Sequence, residues 1–184
     1  MRNRAAFLAV FLIALAVIPV SIMAAVPADA ADDALSTEAN QAFLAANAKK
    51  PGVIVRPDGL QFKILQNGFG KRPYLTDTVQ VYYTGTLING TVFDGTSPGL
   101  PAQFKVNSVI TGWEEALAIM REGDHWQLVI PPTLAYGERG AGNGTIPPNQ
   151  ALIFDLRLIS TKPAPHKGDK DYIPDPDDKD DQQP

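Results

Sequence analysis

The sequence predicts an α+β fold in which a curved antiparallel β-sheet wraps around one short α-helix. Three observations carry it. Most of the chain between Leu60 and Leu158 alternates apolar and polar residues with period two, as half-buried strands do. Only Val109–Met120 breaks that rhythm convincingly with a helical one: Trp113, Leu117 and Met120 share a face at spacing i, i+4, i+7. A helix that short, with one bulky apolar side, is unstable alone and needs a concave surface to lie in.

The central helix carries its own punctuation. Thr111 is placed as N-cap, with Glu114 completing a capping box. Glu114 and Glu115 suit the positive end of the helix dipole and Arg121 the negative end, and Gly123 is positioned as a stop.

Residues 1–30 have the pattern of an export signal. Arg2 and Arg4 precede the apolar run Ala5–Ile18, Pro19 breaks it, and Ala28-Asp29-Ala30 offers a small-x-small cleavage site. A mature chain starting at Ala31 is expected outside the cytoplasmic membrane, in the periplasm, with no membrane association after cleavage. The alternatives are secretion and an uncleaved anchor, since apolar residues continue to Val26. Residues 31–51 form a linker segment in which Ser36 or Thr37 caps a surface helix. Its thin apolar stripe is Ala39, Ala42, Phe43 and Ala46, and Pro51-Gly52 ends it.

The strands follow in order. Leu60, Phe62 and Ile64 alternate with Gln61 and Lys63. Val79, Val81 and Tyr83 alternate with Gln80 and Tyr82. Asn89-Gly90, between Leu87-Ile88 and Thr91-Val92-Phe93, predicts a two-residue hairpin turn. Phe104 and Val106 point inward from a short strand. Trp126, Leu128 and Ile130 form another strand, ended by Pro131-Pro132. Tyr136–Pro148 is a glycine-rich excursion, and Leu152, Phe154, Leu156 and Leu158 make the last strand. Residues 162–184, rich in proline, aspartate and lysine, are expected to be a disordered tail.

Composition excludes several functions. The 184-residue chain carries a net charge of −4, which argues against a nucleic-acid partner. It has no cysteine and two histidines, His125 and His166, far apart, so neither a thiolate site nor a histidine-based metal or catalytic site is supported. The Gly137–Gly144 run lacks the lysine and the following helix of a phosphate loop. What remains is a set of aromatic and branched residues, Tyr83, Phe93, Val109, Ile110, Trp113, Tyr136, Ile146 and Phe154, with polar ends from Tyr83, Tyr136 and Asp94. That is the composition of a ligand pocket.

Five motifs in this order resemble the FKBP-type peptidyl-prolyl cis-trans isomerases. They are Val81-Tyr82-Tyr83-Thr84-Gly85-Thr86-Leu87 with Gly90-Thr91-Val92-Phe93-Asp94; Val109-Ile110-x-Gly112-Trp113-Glu114-Glu115-Ala116-Leu117; Ile130-Pro131-Pro132-x-Leu134-Ala135-Tyr136-Gly137; Ile146-Pro147-Pro148-Asn149; and Leu152-Ile153-Phe154-Asp155. They span about residues 52–161, the expected catalytic domain. Gly137-Glu138-Arg139-Gly140-Ala141-Gly142 is most similar to exported bacterial members. The resemblance implies a half-barrel sheet and an enzyme that turns X–Pro bonds in unfolded or exported polypeptides, with no cofactor or metal. It implies Trp113 as pocket floor and Tyr83, Phe93, Val109, Ile110 and Phe154 as walls. Tyr136 and the Ile110 N–H would bind substrate carbonyls, Asp94 would be a rim acceptor, and Ile146 would lie on a flap. Macrolide inhibitors would compete for the pocket. Ala102, where relatives often carry an aromatic wall residue, would weaken them, and Gly95 replaces a usual serine. The rival function is a chaperone-like module that holds unfolded chains without turnover. The short N-terminal segment predicts a monomer.

Overall fold

The computed structural model describes residues 34–165; the expected signal segment and nearly all of the expected tail lie outside that range. Among the described residues the N-terminal helix, α1, spans Thr37–Asn47. The strands are β1 (Val53–Val55), β2 (Gln61–Gln66), β3 (Thr78–Thr86), β4 (Val92–Gly95), β5 (Ala102–Lys105), β6 (His125–Ile130) and β7 (Leu152–Lys162), and the central helix α2 (Thr111–Ile119) falls between β5 and β6. All strand pairs are antiparallel. They form one sheet in the order β1-β2-β6-β7-β3-β4, with β5 beside β3. The chain is therefore α+β, a half-barrel sheet around one helix, as the period-two pattern predicts.

Its core lies between α2 and the concave face. Val79, Val81, Leu117, Met120, Leu128, Ile130, Leu156 and Leu158 are all at 0% exposure. Close approach of the helix rests on Gly112: a Cβ there would lie 2.5 Å from Ile130 Cγ2. Arg56, at the β1–β2 connection, lies 3.5 Å from Glu115 of α2 and 3.6 Å from Asp58.

Several local expectations change. Thr111 is not the N-cap of α2. Ile110 holds that position, with no side-chain cap, and its carbonyl accepts the N–H groups of Trp113 (2.9 Å) and Glu114 (3.1 Å). The chain turns directly after the extended Val109 and Ile110, with ψ of 176° and 148°, so Thr111 is already helical and the first turn begins one residue earlier than a Thr111 cap would place it. The hairpin after β3 has three loop residues rather than two. Leu87 N–H donates to Thr91 O, Gly90 N–H to Leu87 O, and of the loop residues only Gly90 has a positive φ, whereas a primed turn needs two or begins with one. β7 runs through Lys162, which pairs with Thr78, so the strand extends one residue into the expected tail.

The alternation in β2 is also broken. Gln61 is buried and Ile64 is exposed, against the pattern. Gln61 sits on the convex face beneath α1: its Nε2 donates to Leu44 O (3.0 Å) and its Oε1 accepts from Asn47 Nδ2 (2.9 Å). Val129, its register partner in β6, is covered with it. Ile64 lies where the β2–β6 register slips, which lifts it out of the core. Helix α1 is capped by Ser36, whose Oγ accepts the Ala39 N–H at 3.1 Å. It docks through Asn40 and Asn47, both buried, and not through the alanine stripe, of which Ala42 and Ala46 are exposed.

Replacing Gly112 with alanine should lower stability by about 1–3 kcal/mol, the usual cost of overpacking, because the new methyl must displace Ile130 or α2. Thermal melts of the wild type and Gly112→Ala measure it. Equal melting temperatures would show that the helix shifts freely.

Candidate functional site

The N-terminal end of α2 opens into a cavity of about 410 Å³ lined by Tyr83, Phe93, Asp94, Phe104, Ser108, Val109, Ile110, Trp113, Tyr136 and Phe154. Trp113 comes from the first turn of α2 and is 4% exposed. Three rings stand nearly perpendicular to it: Tyr83 at 5.1 Å and 90°, Phe104 at 5.7 Å and 87°, and Phe154 at 5.2 Å and 78°. Phe93 meets Phe154 edge-on at 5.6 Å. These are the edge-to-face arrangements that aromatic quadrupoles favour. Gly85 makes the grouping possible. A Cβ on it would sit 2.6 Å from Phe93 and 2.9 Å from Phe154, so a side chain there would push both rings aside.

The polar groups lie at the rim. Tyr83 Oη donates to Asp94 Oδ2 at 2.6 Å, and Gly95 N–H donates to Asp94 Oδ1 at 2.8 Å. Thr96 fixes the Tyr83 backbone on its other side, accepting its N–H at 3.1 Å and donating its own N–H to the Tyr83 carbonyl at 3.0 Å. Burial, and then the hydrogen bond to Asp94, hold the Tyr83 phenol well above the ordinary tyrosine range. Burial, followed by the Asp94 charge, raises Tyr136 as well. Among the described residues the Tyr136 hydroxyl and the Ile110 N–H make no hydrogen bond, so both are available to a ligand. The Ile110 N–H lies at the start of α2, beside the floor.

The cavity thus gathers Tyr83, Phe93, Asp94, Val109, Ile110, Trp113, Tyr136 and Phe154, all expected from the sequence. Ile146 is placed differently from these. It is not part of the lining; its side chain is 6% exposed within the core, and its backbone pairs with Ala141 across the loop. Phe104 and Ser108 were missed as lining residues. The inward phase of Phe104 was visible, but not its contact with Trp113. Ala102 does not line the cavity, and Phe104 supplies an aromatic wall.

A second depression, about 540 Å³, lies at the other end of α2 near Phe62, Ile64, Ile119 and Trp126. It is the larger of the two but the poorer site. Its carboxylate, Asp124, is already taken by the N–H groups of Gly68 and Arg121. The first cavity joins a deep apolar floor to free polar groups, and size does not outweigh that.

Comparison with known proteins identifies the family and the fold. The family model described as FKBP-type peptidyl-prolyl cis-trans isomerase matches residues 70–159, and one described as the domain amino-terminal to it matches residues 20–64. The chain belongs to the FKBP-type peptidyl-prolyl cis-trans isomerase family. It is 55% identical over 124 residues to the outer membrane protein MIP of Legionella longbeachae, covering 67% of this chain and 53% of that one. It is 54% identical over 128 residues to the peptidyl-prolyl cis-trans isomerase Mip of Coxiella burnetii, covering 69% and 55%. The chain therefore spans little more than half the length of these relatives. Among solved structures it is similar to a peptidyl-prolyl cis-trans isomerase of Pseudomonas syringae, with a TM-score of 0.65 and 37% identity over 76% of this chain and 98% of that one. The crystal structure of FkpA from Escherichia coli gives a TM-score of 0.66 and 42% identity over 74% and 62%.

The raised phenols give a test of the rim. A tyrosine whose folded pKa is raised stabilises the fold fully below its unfolded value, about 10. That contribution is lost as pH rises through the folded value. In an alkaline titration followed by ultraviolet difference absorbance, Tyr83 and Tyr136 should ionise later than they do in denaturant. Asp94→Asn should remove part of the delay and leave the part due to burial. If both phenols ionise as in the unfolded chain, the rim is more open to water than the structure shows.

Proposed function

We propose that this chain accelerates cis–trans rotation about X–Pro bonds, using the Trp113-floored cavity without a covalent step. The observation that carries the proposal is the pairing of a buried aromatic floor with a free phenol and a free N–H at its edge. Resonance gives the amide C–N bond double-bond character and a barrier of about 18–20 kcal/mol. Water stabilises the planar, charge-separated form. Rotation abolishes the resonance and leaves a less polar carbonyl, so an apolar cavity that excludes water disfavours the planar state more than the twisted one. That is preferential binding of the transition state. Lowering the barrier by about 4–7 kcal/mol would give about 10³- to 10⁵-fold acceleration.

Each residue takes a role on that basis. The proline ring would rest on Trp113, between Tyr83, Phe93, Phe104 and Phe154. The Ile110 N–H and the Tyr136 hydroxyl would bind carbonyls flanking the turning bond and hold the peptide in register. Asp94 would stay at the rim, held by Tyr83 and Gly95. Substrates would be proline-containing unfolded or exported polypeptides, with an apolar residue before proline preferred. A macrolide inhibitor would occupy the same cavity. Residues 52–161 would be the catalytic domain and 162–184 an appendage. An exported, periplasmic location would follow from the pattern of residues 1–30. None of the helices among the described residues is long and apolar enough to cross a membrane.

The decisive experiment is turnover of a proline tetrapeptide by the folded protein and by two variants. Trp113→Leu keeps an apolar floor and should remain active. Asp94→Ala should lower turnover while leaving the fold largely intact. Trp113→Ala should cost about 3–5 kcal/mol of stability as well as activity. A folded wild type no faster than the uncatalysed reaction would overturn the isomerase in favour of a holding module. An inactive but folded Asp94→Ala beside a fully active Trp113→Leu would shift the mechanism from water exclusion to hydrogen bonding. A further expectation is a monomer: sedimentation at micromolar concentration should show one chain, and a stable dimer would assign the N-terminal helix a pairing role.

A further inference from the structure

We propose that Asn40, on the N-terminal helix, is a positioning residue for the site, acting through the loop that carries Tyr136. The inference rests on the isomerase reading above and adds a part of the chain outside the catalytic domain to its machinery.

Tyr136 lines the cavity but is 40% exposed, and its hydroxyl has no partner among the described residues. No hydrogen bond from its own side chain holds it, so the backbone of its loop must set its place. That loop returns to the sheet at Ala151 and is fastened at few points. Ala141 and Ile146 exchange backbone bonds of 2.9 and 3.1 Å, and the Asn149 N–H donates to the Gly137 carbonyl at 2.8 Å. The second of these staples the end of the loop to the residue next to Tyr136. Asn149 itself has a φ of 59°, in the left-handed region, so the stapled geometry is not one the chain adopts for free.

The residues that follow Asn149 are gripped by α1. Asn40 is 1% exposed and Gln150 is 3% exposed. The Asn40 Nδ2 donates to Gln150 Oε1 at 3.1 Å, to Ser36 O at 2.9 Å and to Leu35 O at 3.2 Å, sharing two hydrogens among three acceptors. Its Oδ1 accepts the Ala151 N–H at 2.8 Å. Gln150 Nε2 returns bonds to Leu35 O and Pro148 O, both at 2.9 Å. One buried amide therefore fixes Gln150 and Ala151; Asn149 precedes them; its N–H holds Gly137; and Gly137 adjoins Tyr136. The path is short and contiguous: its bonds from Asn40 to Gln150 and Ala151 are buried, so their loss leaves unpaired polar groups, and the Asn149–Gly137 bond joins two half-buried residues. Asn47, at the other end of α1, makes a comparable buried bond, but to Gln61 in β2, away from the loop. It is a natural control.

The test is carried out on the full chain with a proline tetrapeptide, measuring kcat and KM separately at a temperature where every variant has the native spectrum. Asn40→Ala should lower kcat/KM by about three- to tenfold, the range expected for cutting a coupled network. Asn47→Ala should leave it at the wild-type value even where it lowers the melting temperature. In a Tyr136→Phe background, Asn40→Ala should cost much less, because both changes act through the same hydroxyl. Gln150→Ala should repeat the pattern and stands in if Asn40→Ala does not fold. Equal losses from Asn40→Ala and Asn47→Ala, or additive losses with Tyr136→Phe, would overturn the proposal. If the wild type itself is inactive, the isomerase reading falls, and hydrogen exchange decides the coupling alone. Faster exchange of the Asn149 amide in Asn40→Ala but not in Asn47→Ala would sustain the link, and unchanged exchange would sink it.

Discussion

The structure depends above all on the seat of Trp113. Its ring is nearly fully buried, and it is the one side chain that belongs at once to the helix, to the aromatic cluster of the sheet and to the cavity floor. Edge-to-face contacts of this kind are worth about 0.5–1.5 kcal/mol each beyond the area buried. The arrangement also carries a cost, since the indole N–H finds no acceptor among the described residues. Gly112 lets the helix come near enough to place the ring, and Gly85 lets Phe93 and Phe154 close over the strand. Two missing side chains thus shape the cavity as much as the aromatic ones present.

Helix stability gives way to the site at the start of α2. Thr111 and Glu114 have the spacing of a capping box, and the local chemistry favours using it. The chain instead enters the helix already at Thr111, directly after the extended Val109 and Ile110, both of which line the cavity. A place where a strong local signal loses to tertiary structure is where functional constraint is expected. In β2 the outward-phased Gln61 is buried against the pattern because a helix lies over it and bonds its amide.

What was legible in the sequence follows from the range of the forces involved. Period two and one short helical stripe read out the concave face, because burial on one side of a strand is a local pattern. The cavity residues were legible through motifs, and all but Ile146 line it. The direction of Ile146 depends on how a loop folds back on itself, which no spacing rule records. The docked face of α1 was misjudged for a related reason. Apolar stripes are visible as stripes, but Asn40 and Asn47 reveal their partners, Gln150 and Gln61, only once distant segments meet. Phe104 shows the middle case, with its inward phase legible and its neighbour Trp113 not.

The place of β7 in the sheet has a consequence for the order in which the domain can form. The last strand among the described residues lies in the middle of the sheet, pairing with β6 on one side and β3 on the other. A nascent chain that stops short of Leu152 has two half-sheets with nothing to join them, and each exposes an unpaired edge. Vectorial synthesis therefore cannot build this domain piecemeal. Almost all of it must be made before its central seam can close, and contacts spanning so much sequence close slowly.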